Sequence, residues 1–179
     1  MGKIIVVDLE STCWEHKPPE GEVSEIIEIG ICVLDTETGK IENNKGIFVK
    51  PQKSKVGSFC TQLTTLTQEM VDEGVTFEEA CQQLQNEYQV KDYPWASYGA
   101  YDLNMFKRQC ESFGVEYPFS EEHINVKALF AEKNNLKRPL GMSGALAKMY
   151  IPLEGIHHRG VDDAKNIAKI LFTLVRVRK

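Results

Sequence analysis

Hydrophobic and polar residues are distributed along this chain in a way that predicts strands first and helices later. Residues 4–7 are four consecutive aliphatic side chains, which is typical of a strand buried on both faces. Residues 25–34 and 45–50 have the composition of two further strands, and the turn-forming segment 35–40 favours an antiparallel hairpin between them. The chain therefore opens with three strands in succession.

Helical spacing of apolar residues dominates from Thr67 onward, with short strands between the helices. Thr67 and Thr76 are each suited to begin a helix, and Thr76 with Glu79 has the pattern of a capping box. Short strands are expected at 94–98 and 123–126. Helices are expected near 77–88, 101–113, 127–133, 142–150 and 161–177. Because the sequence contains no repeat or linker, residues 1–179 are predicted to form a single α/β domain.

Composition narrows the class of protein without identifying it. Of 179 residues, 42% are hydrophobic and 26% charged, which is ordinary for a globular domain. No apolar segment approaches the length of a membrane span, and no export signal precedes the first strand. The five cysteines include no CxxC pair, which favours reduced thiols over a disulfide or metal framework. We therefore expect a cytoplasmic protein without a membrane partner.

The net charge of −5 conceals two parts of opposite sign. Residues 1–126 carry 10 Lys and Arg against 22 Asp and Glu, whereas residues 127–179 carry 11 against 4. The basic part indicates an anionic partner, although two solvated faces would give the same distribution.

Two carboxylates, Asp8 and Glu10, follow the first aliphatic run. Side chains at positions i and i+2 of a strand point to the same side, so these acids are expected to lie next to each other. Two unpaired acids there would repel each other and resist desolvation, and a hard divalent cation with oxygen ligands would relieve both effects. A strand that ends in a solvated polar turn, with both acids at the surface, would explain residues 4–12 equally well.

Three later features join these acids: Asp102 at the start of a helix, His157-His158, and Asp162-Asp163 in the first turn of the last helix. Taken separately, they could be a helix cap, a surface histidine pair and acids that complement a helix dipole. All of them fall at the edge of an element, which is where α/β folds place their functional sites.

Helical phase separates the two adjacent acids of the last helix. Asp163 heads the apolar stripe that includes residues 167, 170, 171 and 174, so it is expected to face the core. Asp162 shares a polar face with Asn166, Lys169 and Thr173, so it is expected to face solvent. A carboxylate directed at the core needs a partner, and a metal ion shared with Asp8 and Glu10 would supply one.

The segments that carry these residues resemble a known family. DLE near the N-terminus, YGAYDLNMF and HHRGVDD are similar to the three exonuclease motifs of DEDDh 3′→5′ exonucleases, a superfamily that includes ribonuclease T and the proofreading subunit of bacterial replicative DNA polymerase. SFCTQLTTLTQEMVD (58–72) and HHRGVDDAKNIAKI (157–170) are most similar to the catalytic domain of histone-mRNA 3′-end exonucleases and their bacterial relatives. The resemblance covers nearly the whole chain.

This resemblance implies a ribonuclease-H-like fold, with a mixed five-stranded sheet flanked by helices and the first three strands antiparallel. It also implies a catalytic set of four metal-binding carboxylates and one histidine. The members of this set are Asp8, Glu10, Asp102, His158 and Asp163. Leu9 and the backbone at Ser11 would lie near the terminal nucleotide, and Leu66 would wedge against its base.

The implied reaction is hydrolysis of single-stranded RNA or DNA from the 3′ end to 5′-nucleoside monophosphates, with RNA favoured. Two Mg²⁺ ions would activate water and stabilise the leaving oxygen, and Mn²⁺ is expected to substitute. We assign Asp8 as the bridging ligand, Glu10 and Asp163 to the ion that binds the attacking water, and Asp102 to the second ion through water. His158 would be the general base, because an imidazole pKa of ~6.5 suits proton transfer near neutral pH.

Two alternatives remain open at this point. IIVVDLEST also resembles the opening motif of haloacid-dehalogenase-type phosphatases, whose Asp is a nucleophile. Those enzymes place a second Asp where Glu10 stands and a helix after the first strand, so the expected hairpin argues against them. The other alternative is a catalytically inactive RNA-binding module with the same fold, against which the five retained residues argue.

Overall fold

Five strands form a mixed sheet in the computed structural model, which describes residues 2–176. The strands are β1 (Lys3–Ser11), β2 (Ile26–Asp35), β3 (Ile41–Phe48), β4 (Trp95–Ser97) and β5 (His123–Asn125), in the spatial order β3-β2-β1-β4-β5. The first three strands are antiparallel, whereas β4 runs parallel to both β1 and β5. The predicted mixed five-stranded sheet with an antiparallel opening is confirmed. β3 begins four residues earlier than expected, because its first residues pair at the sheet edge without an apolar pattern.

Seven helices lie among the described residues, and most begin and end where the sequence predicts. They are α1 (Ser58–Thr64), α2 (Gln68–Asp72), α3 (Phe77–Tyr88), α4 (Tyr101–Phe113), α5 (Val126–Lys133), α6 (Met142–Lys148) and α7 (Gly160–Val175). Thr67 caps α2 and Thr76 forms the expected capping box with Glu79, so both predicted starts are confirmed. α1 was not expected, because it has only seven residues and Gly57 gives it no side-chain cap. α7 ends at Val175, and the expected end at Val177 lies outside the described residues.

Each face of the sheet buries its own hydrophobic core. Along β1, Ile5, Val7 and Leu9 pack on the side of α3 and α4, whereas Ile4 and Val6 pack on the side of α5, α6 and α7. Asp8 and Glu10 continue the second series, because strand side chains alternate between faces. Both acids therefore lie on the face that α7 covers.

α7 approaches the sheet closely because glycines stand at the contact. A Cβ built on Gly30 of β2 would lie 1.8 Å from the carbonyl oxygen of Gly160, so only glycine fits at position 30. Gly30 pairs with Asp8 in the sheet. The close approach brings the first turn of α7 next to Asp8. No helix within residues 2–176 has the length and apolar content needed to cross a bilayer.

Candidate active site

Three carboxylates from two elements converge at the carboxyl end of β1. Asp8 and Glu10 come from the strand, and Asp163 comes from the first turn of α7. One carboxylate oxygen from each lies within 4.8 Å of the others. Asp163 is only 3% exposed, as its place at the head of the apolar stripe predicted. The sequence anticipated this juxtaposition from strand alternation and helical phase.

Asp102 joins the site from the first turn of α4. It is buried, and its Oδ1 accepts the backbone N–H of Leu9 at 3.1 Å. The N-cap residue of α4 is Ala100, so Asp102 is not the cap that an isolated reading of the helix start would suggest. The fourth carboxylate is instead turned toward the strand that carries the other two.

Desolvation raises the pKa of each of the four acids above its ordinary value. Burial, followed by the negative charges of Asp163 and Glu28, raises the pKa of Glu10 to about 8. The pKa of Asp8 lies well above its usual range because of burial and the nearby charges of Asp102 and Glu10. Burial raises the pKa of Asp102 to about 6 against the opposing hydrogen bond from Leu9. It also raises the pKa of Asp163, against the hydrogen bond from the backbone of His158.

Such a cluster fits a hard divalent cation. The donor set of Asp8, Glu10 and Asp163 consists of oxygen atoms only, which suits Mg²⁺-like ions better than thiophilic metals. A bound cation would stabilise the charged form of every acid whose pKa is raised. The raised pKa values therefore describe acids whose charge the protein's own cationic groups, Arg159 near Glu10 and the histidines beside Asp163, compensate only in part.

Without metal, we expect the protein to lose stability as pH rises from about 5 to about 8. The folded-state pKa values of Asp8, Glu10 and Asp163 lie above the unfolded values, so the folded state holds more protons in this range. The expected fall in Tm between the two pH values in EDTA is ~4–8 °C, which corresponds to a loss of ~2 kcal/mol in the free energy of unfolding for a domain of this size. Thermal denaturation in EDTA measures it, and divalent cation should remove or reverse the trend. A Tm that rises with pH in EDTA would contradict this account.

Two histidines precede α7 and both contact Asp163. The backbone N–H of His158 donates to Asp163 Oδ2 at 2.9 Å, and Nδ1 of His157 lies 3.0 Å from the same oxygen. The two rings stack with centroids 3.9 Å apart. Burial and the neighbouring charge of His157 lower the pKa of His158, which keeps its imidazole neutral and able to accept a proton near pH 7. The choice of His158 over His157 as base stays a prediction.

The segment before these histidines folds back over α7, which sequence periodicity did not reveal. Asn166 is fully buried, and its side chain donates to the carbonyl of Glu154 at 2.9 Å and accepts its N–H at 3.1 Å. Asp162 accepts the N–H of Ile156 at 2.8 Å. The expectation that Asn166 lies on a solvated polar face is wrong, because helical phase does not register a loop that covers the helix.

Burial and neighbours differ among the three residues expected near the substrate, which are Leu9, Ser11 and Leu66. Leu9 is 6% exposed, and the hydroxyl of Ser11 lies 2.9 Å from that of Tyr101. Leu66 is fully buried in a cluster with Ile27, Cys60 and Val71. A contact between Leu66 and a base would require its segment to move, so this role stays a prediction.

Three further residues at the site were missed by sequence reasoning. Tyr101 precedes Asp102 in the first turn of α4, and its aromatic side chain is 56% exposed. Glu28 is fully buried and pairs with Arg159, whose Nε lies 3.1 Å from Glu28 Oε2. A sequence signal for Glu28 did exist, because it is a charged residue within an apolar strand. The structure adds that it stands opposite Glu10 in the β1–β2 pairing.

The fold is of the ribonuclease-H-like class, and the acid cluster provides a candidate site for divalent metal ions. The model of the RNase T exonuclease family matches residues 5–171, so the chain belongs to this exonuclease family. Enzymes of the DEDDh group in this family use divalent metal ions, and the acids described above provide suitable ligands.

Known proteins of this family align with almost the full chain. The 3′-5′ exoribonuclease 1 of Homo sapiens is 31% identical over 183 residues, covering 97% of this chain and 52% of that protein. The 3′-5′ exonuclease Snipper of Drosophila melanogaster is 29% identical over 195 residues, covering 97% of this chain and 69% of its own length. This chain thus spans about half the length of the human relative.

A solved structure of this family also superposes on almost the full chain. The nuclease domain of 3′hExo, a DEDDh family member bound to rAMP, superposes with a TM-score of 0.88 at 30% identity, covering 96% of this chain and 90% of that domain. The resemblance to DEDDh exonucleases and the ribonuclease-H-like fold predicted from the sequence are both confirmed.

Proposed function

We propose that residues 1–179 act as one exonuclease domain that removes 5′-nucleoside monophosphates from the 3′ end of single-stranded nucleic acid, with RNA favoured. The observation that carries this proposal is the convergence of Asp8, Glu10, Asp102 and Asp163 at one strand end, with two histidines beside them. The preference for RNA is supported by the name of the human relative, an exoribonuclease, and by the solved nuclease domain of 3′hExo, which is bound to the ribonucleotide rAMP.

The metal requirement follows from the chemistry of the ligands. Two Mg²⁺ ions, for which Mn²⁺ would substitute, would activate the attacking water and stabilise the leaving oxygen. Asp8, Glu10 and Asp163, whose oxygens converge, would hold one side of this site. Asp102 is engaged with the N–H of Leu9, which suits a ligand that acts through water.

Protein side chains would perform the remaining steps, which are proton transfer and binding of the substrate. His158 would accept the proton of the attacking water, because a neutral imidazole in a partly buried loop can do so near pH 7. Tyr101 would provide a face on which a base could stack. Lys127 is the first basic residue of the positive part of the chain. Its side chain lies beside Gly99, just after β4, where a Cβ added to the glycine would be 4.0 Å from Lys127 Cδ. Its charge would favour the approach of a phosphate backbone.

The rival functions are less well supported. A haloacid-dehalogenase-type phosphatase needs a helix after its first strand, whereas β2 follows β1 directly as an antiparallel partner. An inactive RNA-binding module would have no need of four desolvated acids whose negative charge the protein compensates only in part. The cytoplasmic location expected from the cysteines stays a prediction.

We expect metal-dependent shortening of 5′-labelled single-stranded RNA from its 3′ end, with mononucleotides as the product. The assay compares matched single-stranded RNA and DNA in Mg²⁺, in Mn²⁺ and in EDTA, and it includes a circular single strand as control. Hydrolysis that persists in EDTA would contradict the metal mechanism, and cleavage of the circle would contradict action from an end. Binding of RNA without hydrolysis under all conditions would favour the inactive module.

A further inference from the structure

Arg159 links three segments that surround the proposed active site. Its Nε and Nη2 lie 3.1 Å and 3.3 Å from the two carboxylate oxygens of Glu28, in β2. Its Nη1 lies 3.5 Å from the hydroxyl of Thr65, at the end of α1. Arg159 itself directly follows His158 and is the N-cap residue of α7. One side chain therefore connects the central sheet, the turn that precedes Leu66 and the histidine loop.

Glu28 is the anchor of this arrangement. It is fully buried and pairs in the sheet with Glu10, yet it is not one of the three acids whose oxygens converge. In addition to the two contacts with Arg159, it accepts the backbone N–H of Gly160 at 2.9 Å. These three donors engage both carboxylate oxygens of Glu28. Glu28 therefore fixes the loop that contains His158 and Arg159, and it is not a further metal ligand.

The backbone of His158 needs such support. Its φ is +64°, in the left-handed region that a non-glycine residue adopts at a cost in free energy. On one side, the carboxylate of Asp163 accepts the N–H of His158. On the other side, the next residue, Arg159, is fixed to Glu28. The conformation of the histidine is thus determined by a neighbour on each side.

We propose that Arg159 is a positioning residue, which through Glu28 holds the backbone of His158 and the turn at Thr65 in fixed relation to each other. This inference rests on the proposed function, since it concerns the geometry of the same site. The Arg159 side chain is only 17% exposed and its charge is already paired, so it acts on His158 rather than on a substrate phosphate. Its loss should therefore lower kcat and leave KM nearly unchanged.

The test must avoid simple unfolding. Arg159→Ala alone would leave the buried charge of Glu28 unpaired, which is strongly destabilising. The double variant Glu28→Gln with Arg159→Met removes both charges, and the new amide oxygen can still accept the N–H of Gly160. We expect this double variant to keep a Tm near that of the wild type and to lose ~10²-fold in kcat, with KM changed by less than ~3-fold, as displacement of a catalytic group predicts.

Conservative and distant variants complete the kinetic experiment. Arg159→Lys keeps the charge without the two-pronged contact, so its kcat should fall between those of the wild type and the double variant. Arg176→Met removes one arginine charge beyond the far end of α7 and should leave kcat unchanged. An unchanged kcat in the double variant would overturn the proposal. A higher KM at constant kcat would also overturn it, because Arg159 would then bind substrate.

A second readout does not depend on activity. Amide hydrogen exchange on the metal-free protein should show faster exchange at both His158 and Thr65 in the double variant, and no change at these amides in Arg176→Met. Exchange that is unaltered in either segment would overturn the proposed link. If the wild-type protein hydrolyses no nucleic acid, the proposed function fails, and the exchange measurement still decides whether Arg159 joins the two segments.

Discussion

Asp163→Asn is expected to lower kcat/KM at least ~10²-fold, which corresponds to ~2.7 kcal/mol of transition-state stabilisation. The substitution removes one negative charge from the acid cluster at nearly constant volume. Asp163 is 3% exposed and shares the site with Asp8 and Glu10. An ion from the solvent therefore cannot take the place of the lost carboxylate. The measurement is steady-state hydrolysis of a labelled single-stranded RNA at saturating Mg²⁺.

Asp162→Asn is the matched control for this variant. It removes the same charge from the same turn of α7, and the dipole contribution at stake is only ~0.3–1 kcal/mol. The oxygen of the new amide can still accept the N–H of Ile156, so the loop before the histidines should keep its shape. We expect near-normal kcat/KM. A dead Asp162→Asn with an active Asp163→Asn would show that the assignment of the two acids is reversed.

In EDTA, the order of thermal stability of the two variants should be the reverse of their order of activity. Asp163 has a raised pKa and lies among other acids, so its charge opposes folding of the metal-free protein near neutral pH. Asp163→Asn should therefore have a Tm equal to or above that of the wild type in EDTA while being the less active variant. A large fall in its Tm would mean that the loss of rate reflects unfolding and says nothing about catalysis.

His158→Ala is expected to lower kcat by ~10²–10⁴-fold, the range for loss of a general base, and to leave metal binding intact. His158 reaches Asp163 through its backbone N–H, which alanine retains, so the carboxylate should keep that partner. Titration calorimetry with Mg²⁺ checks the binding, and single-turnover hydrolysis checks the chemical step.

His157→Ala is the comparison that decides between the adjacent rings. In the structure it is the ring of His157 that lies 3.0 Å from Asp163 Oδ2, and the two imidazoles stack. We expect His157→Ala to lose less activity than His158→Ala, because the His157 ring is engaged with a ligand acid. A greater loss in His157→Ala would transfer the role of base to it.

The pH dependence of the wild-type rate gives an independent check on the base. The neutral imidazole is the active form, so kcat should rise with pH and level off above the pKa of His158. Burial and His157 lower that pKa, which should place the midpoint below the ordinary value of ~6.5. A midpoint above ~6.5, or a rate that falls as pH rises, with the chemical step limiting the rate, would contradict His158 as the base.

Local periodicity was sufficient to predict much of the fold and the acid cluster. The alternation of a strand placed Asp8 and Glu10 on one face, and the 3.6-residue period placed Asp163 rather than Asp162 toward the core. The hairpin after β2 and the capping box at Thr76 are likewise local patterns, which is why both were found. These features depend on residues a few positions apart, and their physical causes act over the same distance.

Only the tertiary structure decided which distant residues meet. Glu28 and Arg159 are 131 residues apart, and their contact depends on the sheet register and on the close approach of α7 at Gly30. Asn166 became buried because the chain at Glu154 returns over it. The phase of one helix cannot predict such contacts, since they arise from packing between elements. The sequence thus determined most of the strands and helices and the inward-facing acids, and tertiary packing determined the partners that hold the histidine loop.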